Sequence, residues 1–155
     1  MIKKLSHLTS TGDARMVDVS AKTPTLRRAV AEGYVLMAPA TLRELKNNTG
    51  PKGEALSVAR IAGIQAAKRT GELIPLCHPL PVEQVIVDFQ FVSNGVRILA
   101  AATITAKTGV EMEAYTAIAV AALTIIDMLK ALDPGMRIDG IRLLEKTGGK
   151  SHYHA

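Results

Sequence analysis

The sequence predicts an α+β domain in which helices pack on one face of an antiparallel sheet. Three observations lead there. Residues 83–93 and 96–107 read as paired strands around a Ser93-Asn94-Gly95 hairpin turn. Helical patterns flank that hairpin over 54–70 and 111–130. Further strand patterns stand near 27–37 and over 138–144, with no internal repeat or linker between elements. A length of 155 residues implies one domain over 1–155, with 1–15 and 151–155 flexible.

Taken in order, residues 1–15 are polar and irregular, and Met16-Val-Asp-Val19 is a short strand candidate. Thr23-Pro24 has the chemistry of a helix start. Tyr34-Val-Leu-Met37 after Gly33 reads instead as strand, so the segment near 27–37 is taken as extended. Thr41-Leu-Arg-Glu44 after Pro39 matches a capping box and starts a short helix that stops at Asn47-Asn-Thr-Gly50. Pro51-Lys52-Gly53 is a tight loop. The helix over 54–70 is closed by Gly71. Pro75, Pro79 and Pro81 forbid a helix and stiffen the Leu76-Cys77-His78 loop between them. In the strand that follows, Val85, Val87, Phe89 and Phe91 share one side. Asp133-Pro-Gly135 terminates the long helix. Lys146-Thr-Gly-Gly-Lys150 is read as a loop leading into a short tail.

Composition narrows the classes. Hydrophobic residues make up 48% of the chain, enough for a core, yet aromatics are only 3%. Single-strand binding by base stacking is therefore disfavoured. The net charge of +5 is spread over single and paired cations rather than a dense run, a pattern that suits a small phosphorylated ligand. Cys77 is the single cysteine, so an intrachain disulfide and a cysteine-rich metal site are both excluded. The N-terminus lacks the apolar core of a signal peptide. The longest uncharged helical run, Ala114–Ile126, falls short of the roughly 20 residues a span needs. A cytoplasmic protein with neither a membrane nor a nucleic-acid partner is the expectation.

The long helix carries the strongest local signal. From Ala114 to Leu132 only Asp127 and Lys130 are charged. At about 100° per residue, Glu113, Thr116, Thr124 and Asp127 fall within a narrow arc, with Lys130 at its edge. A thin polar seam on an apolar rod suggests a site, because a buried charge must be paired. The alternative is an ordinary ion pair at a helix end. Glu113 and Asp127 stand about 21 Å apart along the axis and do not share a reacting atom.

Other groups have two readings each. Lys52 is either a loop cation that closes over a ligand or an exposed turn lysine. His78 in its stiff loop is either a positioned site residue or a structural hydrogen-bonder, and Cys77 either a site residue or packing. Neither has metal-ligand partners at useful spacing. Glu111 and Glu113 complement the positive end of the helix. Thr147-Gly-Gly-Lys-Ser151 lacks P-loop spacing, but Gly-Gly backbone lets an anion approach, with Lys146 and Lys150 supplying charge. His152 and His154 read as part of a mobile terminus.

Six strings taken together resemble the MoaC family: Met16–Lys22, Ala59–Thr70, Ile74-Pro-Leu-Cys-His-Pro79, Lys107-Thr-Gly-Val-Glu-Met-Glu-Ala114, Asp127–Ala131 and Gly148–Ser151. They run in the family's order over nearly the whole chain. The resemblance implies a ferredoxin-like fold and a homohexamer, a trimer of dimers with sites at subunit interfaces. It implies cyclic pyranopterin monophosphate synthase activity in molybdenum-cofactor biosynthesis. The substrate would be 3′,8-cyclo-7,8-dihydro-GTP, made by a radical S-adenosylmethionine GTP cyclase, and pyrophosphate would be released. Carried over by position, the catalytic pair is Asp127 and Lys130, and the loop lysine is Lys52. The substrate-binding positions are Leu76, Cys77, His78, Met112 and Glu113, with Lys68 and Lys146 as anion contacts. No tightly bound cofactor or metal is expected, although a divalent ion can accompany the triphosphate. Tyr115, Leu129 and Glu54 depart from the family pattern. If a site draws on two chains, mixing Lys52 and Lys130 variants should restore activity. The competing class is a non-catalytic oligomeric sensor of a phosphorylated small molecule.

Overall fold

A computed structural model describes residues 8, 9, 11–149 and 151–155. Its elements are β1 (Thr25–Leu36), α1 (Pro39–Asn47), α2 (Ala55–Lys68), the single turn α3 (Thr70–Leu73), β2 (Gln84–Val92), β3 (Gly95–Ala106), α4 (Glu111–Leu129), β4 (Arg137–Thr147) and β5 (Tyr153–His154). The sheet order is β2-β3-β1-β4-β5, and every pair is antiparallel. Leaving β5 aside, this is the split βαββαβ arrangement of ferredoxin-like domains. Helices α2 and α4 cover one sheet face.

Small residues set the spacing of the two layers. Ala29, Ala31, Ala100 and Ala102 are buried on the sheet, and Ala114, Ala117 and Ala121 are buried on α4. At Gly63 an added Cβ would lie 2.9 Å from the Ala117 carbonyl oxygen, so α2 crosses α4 closely only because that position has no side chain. Helix α4 is long and apolar enough to cross a bilayer by composition, but over half of its apolar window is buried inside the fold, as expected of a core helix.

On the sheet, Glu32 is almost fully buried between two arginines. Arg97 Nε donates to Oε2 and Arg142 Nε to Oε1, each at 2.7 Å, with Tyr34 Oη at 3.3 Å. Burial alone would raise this carboxyl's pKa. The hydrogen bonds from Arg142 and Arg97 more than offset it and hold the group below its usual value. The cluster ties β1, β3 and β4 together. At the outer edge of β2, Arg60 of α2 donates from Nε to the Val87 carbonyl at 2.9 Å and lies over the Phe89 ring.

Several local expectations are corrected. Met16–Val19 is not a strand. Val17 and Val19 are half-buried against a cavity wall, so their alternation is real but meets no ladder. Thr41-Leu-Arg-Glu44 is not a capping box, because Pro39 starts α1 earlier, with Ala38 as N-cap. Asp133 serves that end from across the fold, accepting the Ala38 N–H at 2.8 Å and the Thr41 hydroxyl at 3.3 Å. Gly71 does not end α2. The helix stops at Lys68, the Thr70 hydroxyl donates to the Ala67 carbonyl, and Gly71 lies within α3. Lys146 and Thr147 belong to β4 rather than a loop, and Glu145–Lys146 pair with β5. The expectation for residues 1–15 falls partly outside the described residues, and Lys150 lies outside them.

Candidate active site

Two clusters form at opposite ends of α4. The first gathers around Asp127, in the last turn. Lys130, the C-cap residue, donates to Oδ1 at 2.7 Å, and Lys52 donates to Oδ2 at 2.8 Å. The loop carrying Lys52 reaches this point because Gly50 packs beside Leu129. Hydrogen bonds from Lys130 and then Lys52 hold the Asp127 carboxyl down to about 2, so it is ionised across the neutral range. The burial expected of an apolar rod is absent here. Asp127 and Lys130 are both more than half exposed, because the seam winds away from the sheet toward this end.

The second cluster lines a cavity of about 400 Å³ at the start of α4, walled by Lys22, Cys77, His78, Glu111, Met112 and Glu113, with Leu76 at its side. The proline-stiffened loop places His78 against the N-terminal segment, with Nε2 2.8 Å from the Val17 carbonyl. A carbonyl only accepts, so Nε2 carries the proton. Glu113 is buried, at 3% exposure, and its carboxyl is pushed up to about 7 by burial first, with the charge of Glu111 adding to it. Burial and the nearby Glu113 raise the Cys77 thiol as well, so it is not an activated nucleophile. A carboxyl that changes protonation near neutrality beside a histidine is equipped to move protons.

The structure thus brings Lys52, Asp127 and Lys130 together, and brings Leu76, Cys77, His78, Met112 and Glu113 together, but does not join the two sets within one chain. Lys52 and Lys130 of one chain share a carboxylate, so they belong to the same half of any shared site and do not complement one another. Lys146 pairs with Glu111 at 3.0 Å, beside the second cluster. Lys68 stands apart, lining a shallow cavity with Arg69 and Pro79. Among the described residues no group of three or more potential His, Cys, Asp or Glu metal ligands converges.

Sequence reasoning missed Lys22 and Glu111 as cavity walls. Lys22 sits inside a matching string, but nothing near it in sequence shows that 17–22 folds onto 76–78. The Gly148-Gly149 pair has a packing role. Both residues have positive φ. A Cβ at Gly148 would lie 2.1 Å from the Leu26 carbonyl oxygen, and one at Gly149 would lie 2.4 Å from Arg27 Nη1. The pair makes room for β1 and its arginine.

A family model described as the MoaC family matches residues 16–149. The chain is 57% identical over 147 residues to a cyclic pyranopterin monophosphate synthase of Novosphingobium aromaticivorans, covering 95% of this chain and 94% of the relative. It is 54% identical over 150 residues to one of Corynebacterium glutamicum, covering 97% and 96%. It is 59% identical over 152 residues to cyclic pyranopterin monophosphate synthase 3 of Mycobacterium tuberculosis, covering 96% and 85%.

Proposed function

We propose, from the premise that the chain belongs to the MoaC family, that it carries out the synthase reaction for which its relatives are named. It is an enzyme of molybdenum-cofactor biosynthesis, a lyase that converts 3′,8-cyclo-7,8-dihydro-GTP to cyclic pyranopterin monophosphate and releases pyrophosphate. The observation that carries this reading is the reach of the likeness. Relatives named for that activity match over at least 95% of the chain, so the match spans both clusters.

The chemistry required fits the groups available. Rearranging a purine to a pterin is a series of proton transfers. Glu113, titrating at about 7, supplies a carboxyl that both gives and takes protons. Asp127, ionised at neutral pH, holds Lys52 and Lys130 at one spot through hydrogen bonds to its two oxygens. Closing the cyclic phosphate joins a substrate oxygen to the α-phosphorus as the α–β bridging bond breaks. The hydroxyl proton is removed and the electron pair leaves with pyrophosphate. Cations near the leaving group stabilise that charge. Leu76, Cys77, His78 and Met112 hold the heterocycle, Lys68 and Lys146 contact anionic groups, and a divalent ion can accompany the triphosphate. No cofactor is bound tightly.

The working unit is a homohexamer, a trimer of dimers, in which the Lys52–Asp127–Lys130 set of one subunit completes the cavity of another. Support comes from the roughly 21 Å that separates Glu113 from Asp127 along α4. Leu123 between them on α4, and Ile61 on α2, are more than half exposed. The enzyme acts in the cytoplasm, on substrate delivered by a radical S-adenosylmethionine GTP cyclase.

The test is incubation of the purified protein with the cyclised GTP intermediate. Pterin product with stoichiometric pyrophosphate is the expected result. Tight binding without turnover would make the protein a sensor instead. Repeating the assay with a chelator tests the divalent ion.

A further inference from the structure

The loop that carries Lys52 is tied at its mouth by a carboxylate outside both clusters. Asn48, the C-cap of α1, has φ 55°, and its backbone N–H turns back to the Leu45 carbonyl at 3.3 Å. On the same shoulder the Thr49 hydroxyl donates to the Glu44 carboxylate. Gly53 donates to the Gly50 carbonyl at 3.1 Å and closes a turn around Pro51 and Lys52. Glu54 then begins α2 as its N-cap, but its side chain bonds no helix N–H. Its carboxylate spans the loop instead. Oε1 accepts the Asn48 side-chain amide at 3.2 Å, and Oε2 accepts the Ser57 hydroxyl at 2.8 Å. Among the described residues no cation lies within 4.0 Å of it.

Two other contacts reach the tip of the loop, and neither is strong. Gly50 packs beside Leu129 without a side chain of its own. The Lys52–Asp127 pair is exposed, at 46% and 53%, and an exposed pair gains little against the entropy of a long side chain. Loop closure needs shorter connections, and Glu54 supplies one. Asn48 is near in sequence, so closing this ring costs little chain entropy. An ionised acceptor strengthens both of its bonds. The Ser57 bond fixes the carboxylate on the first turn of α2, so Asn48 is fastened to a helix rather than to a free side chain. With the two shoulders joined, residues 49–53 have few conformations left. The one observed puts Lys52 Nζ 2.8 Å from Asp127 Oδ2.

We infer that Glu54 is a positioning residue for Lys52: its carboxylate latches Asn48 to Ser57 and so keeps the loop lysine on Asp127. Glu54 makes no ion pair with Lys52 and does not line the cavity at the start of α4, so it acts through the loop alone. Without the latch, Lys52 spends less of its time on Asp127. That lowers the fraction of molecules in which the cations are assembled, not the affinity of the cavity for the heterocycle. The consequence for turnover rests on the functional reading above; the latch itself does not.

The experiment follows the intact oligomer by amide hydrogen exchange over 49–53 and by steady-state turnover of the cyclised GTP intermediate. Glu54→Ala should speed exchange of that segment by about fivefold, as loss of exposed hydrogen bonds implies, and leave the interior of α1 unchanged. The same variant should lower kcat by about fivefold while KM stays within about twofold. Glu54→Gln keeps an acceptor oxygen and gains an amide that Asn48 and Ser57 can both accept, so it should restore both readouts to near wild type. Asn48→Gly tolerates the positive φ and Ser57→Ala suits a helix. Their double variant therefore removes both donors from a folded chain, should match Glu54→Ala, and keeps the test decisive if Glu54→Ala misfolds. Exchange unchanged in Glu54→Ala and in the double variant overturns the latch, as does a Glu54→Gln protein as defective as Glu54→Ala. Faster exchange with kcat unchanged, or a loss confined to KM, overturns the positioning role. A protein whose loop loosens as expected but which makes no pterin even as wild type sinks the synthase reading and leaves the latch standing.

Discussion

Two glutamates of this chain are buried to nearly the same degree and have opposite electrostatics. Glu32 lies between two guanidinium groups and stays ionised, whereas burial first, and then the charge of Glu111, push Glu113 toward its neutral form. The sign of each contribution to stability follows. Glu113 binds its proton more tightly in the folded chain, so stability falls as pH rises from about 4.5 to about 7. The full span is on the order of 3 kcal/mol. Glu113→Gln should flatten that slope and raise the denaturation midpoint at pH 8, as urea titrations across that range would show. An unchanged slope would mean that Glu113 ionises freely. Turnover of wild type should fall above pH 7 if the neutral carboxyl is the active form. Asp127 stays ionised down to about 2, so loss of activity between pH 6 and 4 has another cause. Asp127→Asn should lower kcat by roughly a hundredfold or more, because Lys52 and Lys130 lose their shared anchor. Stability should barely change, since the pairs are exposed. Activity within a few-fold of wild type would remove this trio from the mechanism.

At the scale of elements, the sheet is fastened by charge as well as by ladders. Arg97 and Arg142 reach Glu32 from β3 and β4, and removing either leaves a buried carboxylate with one guanidinium. Arg97→Ala should cost about 3 kcal/mol, more than any exposed arginine, because the residual charge is poorly compensated. The Glu32 cluster contributes fully above pH 4.5 and is lost as the carboxyl protonates, so the deficit of Arg97→Ala should shrink in acid. A constant deficit from pH 7 to pH 3 would show packing rather than charge. This cluster was not legible in the sequence. Glu32, Arg97 and Arg142 look like ordinary strand-surface charges until strand order brings them together. The hairpin and the long helix were legible, because period and turn chemistry are local. The start of α1 was misread, because its capping oxygen comes from Asp133, more than ninety residues away. The site was legible in two halves for the same reason. Each half is a short string, but their separation is fixed by the length of α4.

For the whole molecule, the proposed sharing of a site between subunits makes assembly a condition of activity. Lys130→Ala and His78→Ala chains, each inactive alone, should recover activity when mixed and reassembled. With one site per subunit pair and random exchange, about a quarter of sites are intact. Mixtures of Lys52→Ala with Lys130→Ala should stay inactive, because both lesions fall in the same half. Recovery in the second mixture and not the first would place the halves wrongly. Leu123→Glu on the outer helix face should lower both hexamer content and turnover, read by light scattering alongside activity. Full turnover by a monomer would exclude a shared site.

Arg60 also bears on how the chain reaches this state. The outer edge of β2 carries Val85, Ile86, Val87, Phe89 and Phe91, a stretch able to recruit strands from other molecules while it lies open. Its protection is a side chain from α2, which precedes β2 in the chain and leaves the ribosome first. By the time the vulnerable strand emerges, its guard has already been made. A nascent chain therefore passes through no stage at which β2 exists without Arg60, and a circular permutant opened between Lys68 and Gln84, with α2 synthesised last, would lose that order of birth and should aggregate during expression while remaining stable once folded.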